Sequence, residues 1–167
     1  MAYKIPKTWI TGETVTAAMM NEQVSGNIAH VYNLAKTKEV IIEAINFEEP
    51  TYKGDRVHMF PVPASLNGGV IQNVHAGIAT AGTAGTVLVQ IARDRGGTIV
   101  DILSTCAAIL PNERTSYTGT AGEVNPTNAK LATGDWLRID CDDHGGGTAL
   151  ANGGQMGLFA IVQVELT

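Results

Sequence analysis

Residues 135–142 read Asp-Trp-Leu-Arg-Ile-Asp-Cys-Asp, and residues 157–166 read Gly-Leu-Phe-Ala-Ile-Val-Gln-Val-Glu-Leu. In the first stretch Leu137, Ile139 and Cys141 alternate with Trp136, Arg138, Asp140 and Asp142. In the second, Leu158, Ala160, Val162, Val164 and Leu166 alternate with Phe159, Ile161, Gln163 and Glu165. Successive side chains of a strand point to opposite faces, so a period of two sends one set into a core and the other outward. That alternation marks antiparallel strands buried on one face.

The same period extends back to residue 39. Val87, Val89 and Ile91 face one way, and Leu88 and Gln90 the other. Eight candidate strands follow: Glu39–Phe47, Arg56–Val62, Val70–Thr80, Gly85–Arg93, Thr98–Leu110, Thr115–Thr120, Asp135–Asp142 and Gly157–Leu166. Turn chemistry separates them: Tyr-Lys-Gly-Asp at 52–55, Asn-Gly-Gly at 67–69, Gly-Thr-Ala-Gly at 82–85, Arg-Gly-Gly at 95–97 and a glycine-rich run at 145–154. The expected fold is mainly β: an eight-stranded antiparallel jelly-roll-like sandwich over residues 38–167, preceded by an N-terminal arm and one α-helix. No repeat of fixed period is present.

Residues 1–37 are of another kind. Residues 1–15 read as an extended arm broken by Pro6 and Gly12, with Trp9 as its large aromatic. A Trp there must bury against its own domain or in a partner's pocket. Residues 16–36 read as a helix, with Thr16 as N-cap. Met20, Val24, Ile28, Val31 and Ala35 draw one narrow apolar stripe along it, and Gly26 weakens its middle by roughly 1 kcal/mol. Such a helix is marginal alone and needs its own domain, sister copies or another surface to cover the stripe.

Composition narrows the function classes. Of the 167 residues 44% are hydrophobic, enough for a core, while only 16% are charged against the usual quarter. The net charge is −5. Residues 1–40 carry four Lys and three acids; residues 41–167 carry seven Lys or Arg and thirteen acids. No basic stripe exists, so no nucleic-acid partner is expected. The opening MAYKIPKTWITGE has no apolar signal region, and no run approaches the ~18 apolar residues of a membrane span.

A search for chemistry finds little. His30, His58, His75 and His144 form no HxxxH spacing, and Cys106 and Cys141 form no CxxC. The two cysteines read as buried free thiols, with a disulfide between them as the alternative. Asp140, Asp142, Asp143 and His144 could in principle hold a cation. They lack the spacing of a calcium loop and read instead as a solvated face running into a turn; Asp94 and Asp101 read the same way. Four serines, Ser25, Ser65, Ser104 and Ser116, include no Gly-x-Ser-x-Gly. No enzyme, cofactor or metal site is expected. Trp136, on the same side as Arg138 and Asp140, reads as a subunit contact or, alternatively, a sugar platform.

Two stretches carry a resemblance. Trp9-Ile-Thr-Gly-Glu13-Thr-Val15-Thr-Ala-Ala-Met-Met-Asn21, continuing to Val24 and Asn27, resembles the opening of small tail, fibre and head-associated proteins of tailed phages. Val62–Gly68, Thr86–Arg93, Ile102–Thr105 and Ala132–Asp140 resemble a β-sandwich domain of phage virion proteins. The resemblance implies a virion structural protein, assembled in the host cytoplasm, oligomeric and commonly trimeric. Its partners would be the major capsid protein, as a head decoration, or tail proteins, as a tail-tip or short-fibre component, with host-glycan binding as a further option. Trp9, Met20, Val24, Ile28 and Val31 would form the anchor. The chain ends at Thr167 directly after its last strand, so a long-fibre shaft is not expected.

Overall fold

The computed structural model describes residues 8, 11, 14, 16–144 and 154–166. It divides into two compact units, Met1–Thr37 and Lys38–Thr167.

In the first unit one helical stretch runs as α1 (Ala17–Met20), a π-helical turn (Asn21–Ser25) and α2 (Gly26–Lys36). Thr16 has extended backbone, and its hydroxyl accepts the Met19 N–H at 3.2 Å. It thereby satisfies one of the donors that every helix start leaves open. The expected single α-helix is interrupted where Gly26 donates to the Asn21 carbonyl, five residues back. Asn21, Val24, Ser25 and Gly26 are weak helix formers, so a wider turn is tolerated there.

The second unit is built from strands, beginning at the Thr37 junction. They are β1 (Thr37–Pro50), β2 (Gly54–Pro61), β3 (Val70–Gly77), β4 (Val87–Arg95), β5 (Thr98–Asp101), β6 (Leu103–Thr105), β7 (Ala107–Ile109), β8 (Glu123–Val124), β9 (Trp136–His144) and β10 (Met156–Glu165). One sheet has the order β1-β10-β3, and a second has β2-β9-β4-β5 with β7 also paired to β4. β6 and β8 form a small third sheet. The strand order is nested: β1 lies beside β10, and β2 beside β9. One continuous core joins the two main sheets. Ile42, Ile71, Val74, Leu158, Val162 and Val164 come from the first; Val87, Val89, Ile91, Leu137, Ile139 and Cys141 come from the second. The mainly antiparallel β-sandwich follows directly from the period-two runs.

Two of the eight expected strands are different in the structure. Thr98–Leu110 is not one strand but three, β5, β6 and β7. The chain turns inward at Ile102, which is buried and whose N–H donates to the Ile91 carbonyl at 2.8 Å. Thr115–Thr120 is a loop that forms isolated bridges to neighbouring strands, Gly77 to Thr115 and Ala108 to Thr120. Its alternating residues are Thr, Ser, Tyr and Gly, which give a strand no apolar face to bury. Ser116 holds it instead: its N–H donates to the Ala76 carbonyl at 2.9 Å, and its hydroxyl accepts the Ala76 N–H at 3.0 Å.

The β4–β5 hairpin turns on Gly96 and Gly97, with φ of +60° and +87°. Two consecutive residues of positive φ are what a two-residue turn of this handedness needs. Asp94, expected to be merely solvated, accepts the Gly97 N–H at 2.8 Å and so fixes the turn.

Asp140 is a clearer correction. It was expected on a solvated face, yet it is buried. Arg138 donates to it through Nε at 2.7 Å and pairs with it through a second nitrogen at 2.6 Å. The Arg56 N–H donates to Asp140 Oδ1 at 2.6 Å. Arg56 has φ of +57°, in a bulge of β2 between Gly54 and His58. The carboxylate therefore pins a left-handed backbone position that an Arg would otherwise avoid.

Candidate functional site

Two surfaces and two side-chain clusters are candidates. The first surface is the helical stripe. Met20, Val24, Ile28 and Val31 are all exposed, Ile28 and Val31 at 63% and 57%. Tyr32 joins them, also exposed, with Lys36 Nζ 4.9 Å from its ring centroid. Tyr32 lies four residues after Ile28, so the 3.6 period could have found it. The wide turn at Asn21–Ser25 rotates Ile28 and Val31 relative to Met20, and the stripe departs from one straight row. The side chain of residue 35 and all of Trp9 lie outside the described residues.

The second surface is on the outer face of the β1-β10-β3 sheet. Glu39 from β1, Asn73 and His75 from β3, Ile161 and Gln163 from β10 and Tyr117 from the Ser116 loop line a hollow of about 180 Å³. Strand register builds it: Gln163 pairs with Asn73 and Ile161 with His75. The Tyr117 ring stacks on the His75 ring, centroids 3.8 Å apart and planes 25° from parallel. His75 is held at both ring nitrogens, Nε2 at 3.2 Å from Asn73 Nδ2 and Nδ1 at 3.3 Å from Ser116 Oγ. Burial pushes the His75 pKa below its ordinary value, favouring the neutral ring. Sequence reading placed His75 in a strand but gave it no neighbours. The available signal was the i, i+2 spacing of Asn73 and His75; the partners from β10 and residue 117 are set by register and loop path.

Trp136 opens β9 and is 44% exposed, opposite Pro61 on one side and Asp94 on the other. Arg138 and Asp140, expected to share its surface, are engaged with each other. It stands apart from the lining of the hollow.

The 140–144 cluster is divided among separate tasks. Asp140 binds Arg138 and Arg56, and Asp142 accepts a hydrogen bond from the Cys106 thiol at 3.4 Å. Both cysteines are free, Cys141 buried and Cys106 only half-buried between β6 and β7. Burial first, then the neighbouring Asp142, pushes Cys106 up to about 11; burial first, then Asp142 and Asp143, pushes Cys141 up to about 12. Neither is an activated nucleophile at neutral pH.

The stretch Ala132–Asp140 serves the framework. Asp135 is buried, and Arg95 grips it with Nε and a terminal nitrogen, each at 2.7 Å, while the Ala132 N–H donates to it at 2.8 Å. Arg93 donates to the carbonyls of Asn128 and Lys130 at 2.9 and 2.6 Å. Two arginines of β4 thus fasten the connection that leads into β9.

No family model matches the chain, and no curated protein matches it. A solved structure to which it is similar is the capsid of Ralstonia phage GP4, with a TM-score of 0.49 and 9% identity over 78% of this chain and 84% of that one. A likeness this distant fixes neither family nor function. Among the described residues no helix is long and apolar enough to cross a membrane.

Proposed function

We propose that this chain is a non-enzymatic structural protein of a tailed-phage particle. In this reading it is a trimeric surface module that decorates the capsid through residues 1–36, with the β-sandwich standing outward. The observation that carries the reading is that the apolar side chains of Met20, Val24, Ile28, Val31 and Tyr32 are all exposed on one helical stretch. Scattered exposed apolar residues are ordinary, but five on one short helical stretch, with Ile28, Val31 and Tyr32 grouped in its second half, offer a docking patch. The resemblance of Trp9–Asn27 to phage head- and tail-associated proteins supplies the partner, and Trp9 is assigned to the same contact. The nested strand order supports reading the sandwich as jelly-roll-like.

The experiment is deletion of residues 1–36. The remaining sandwich is expected to melt cooperatively and to lose all binding to particles, while the full chain binds and labels the head. Decoration by the truncated sandwich would sink the anchor assignment. Label confined to the tail would replace the capsid site with a tail-tip or short-fibre site on the same anchor.

A further inference from the structure

We propose that the hollow formed by Glu39, Asn73, His75, Tyr117, Ile161 and Gln163 is a binding site for one neutral pyranose ring of a surface glycan. The inference stands whether or not residues 1–36 anchor the chain to a particle.

The site's chemistry selects this ligand class. Its volume, about 180 Å³, is below the ~300–1,000 Å³ typical of drug-sized sites, and suits a single sugar ring. Tyr117 is 60% exposed although one face of its ring lies on His75. A pyranose has an apolar C–H face that packs on an aromatic or aliphatic surface, here Tyr117 and Ile161. Its equatorial hydroxyls require groups that both donate and accept; the carboxamides of Asn73 and Gln163 do both, and the Glu39 carboxylate accepts. No Lys or Arg lines the hollow, and Glu39 sets a negative potential, so sulfated or sialylated sugars are disfavoured.

The geometry is preorganised. His75 is fixed at both nitrogens, Ser116 ties its loop to Ala76 by two hydrogen bonds, and Tyr117 is thereby oriented before any ligand arrives. Little rotamer freedom of His75 and Tyr117 remains to be lost on binding. The sugar contact considered for Trp136 moves to this face of the other sheet.

The test uses the full chain. Saturation-transfer NMR with methyl glycosides of glucose, galactose, mannose and N-acetylglucosamine reads the site itself, and a glycan array identifies the chain that carries the sugar. At least one neutral glycoside is expected to receive saturation and to shift the amide signals of His75, Tyr117 and Gln163. Tyr117→Ala and Gln163→Ala should each weaken binding by roughly tenfold or more, while Trp136→Ala leaves it unchanged. Gln163→Ala, at a half-buried strand position, keeps the test decisive should Tyr117→Ala misfold. Absence of transfer from every neutral glycoside at millimolar concentration overturns the proposal. So does binding that survives both substitutions, or a change of oligomeric state on Tyr117→Ala without any sugar binding.

Discussion

The side chain of Gln90 pairs with the backbone of Leu103 as if it were a peptide group. Its Nε2 donates to the Leu103 carbonyl at 3.0 Å, and its Oε1 accepts the Leu103 N–H at 3.1 Å. The same oxygen accepts the Ile91 N–H at 2.9 Å. The amide thus continues the ladder across the place where β5 ends and β6 begins, and three buried backbone groups depend on it. Buried groups left without a partner cost about 1–3 kcal/mol each.

Gln90→Leu should therefore destabilise the sandwich by about 3 kcal/mol or more, although it adds apolar surface to a buried site. Gln90→Glu should be no better at neutral pH, since a buried carboxylate repels the Leu103 carbonyl and has no N–H to give it. Urea midpoints at unchanged slope measure both. A Gln90→Leu protein as stable as wild type would show that water replaces the amide.

Asp135 links stability to pH. Burial alone would raise its pKa, but the Arg95 hydrogen bonds, the Ala132 N–H and the charges of Arg95 and Arg93 hold it below the usual carboxylate range. A group whose folded pKa is depressed binds protons more readily when unfolded, so its stabilisation is present above the unfolded value and lost as pH falls through the folded one. The melting temperature of wild type should drop as pH falls from about 4 toward 2. In Asp135→Asn the drop should be shallower, from a lower starting point at pH 7. Parallel profiles for the two proteins would remove Asp135 as the source.

Gly77 and Phe159 face each other across β3 and β10, and a Cβ on Gly77 would collide with the Phe159 ring. The ring also meets Phe47 edge-on at 6.1 Å. Gly77→Ala should cost about 1–3 kcal/mol through overpacking. In a Phe159→Ala background that cost should shrink to near zero, and thermal denaturation of the four proteins closes the cycle. Equal costs in both backgrounds would place the penalty in the backbone of β3 rather than in the ring.

The period-two runs made β4, β9 and β10 legible, because each needs only one apolar face and the alternation displays it. Thr98–Leu110 has the same composition, yet it breaks into three strands: the inward turn at Ile102 depends on a carbonyl of β4 and on the amide of Gln90, neither visible in the local pattern. Charge misled for a similar reason. Asp140 alternates with apolar neighbours as a solvated residue would, and nothing near it in sequence announces the bulge at Arg56, 84 positions away, whose N–H it receives. The helical stripe was legible as a spacing, but the wide turn at Asn21–Ser25 was not, and it breaks the single row that the spacing drew; Tyr32 joins Ile28 and Val31 beyond it.

By itself, then, the sequence determined the β class, the helical segment and most of the core, since these follow from which side chains avoid water at a local period. The tertiary structure alone decided the nested order of the strands, the burial of Asp135 and Asp140, and the meeting of Glu39, Asn73, His75, Tyr117 and Gln163 in one hollow. Those residues come from three strands and a loop, and only long-range register, paid for by core burial, brings them together.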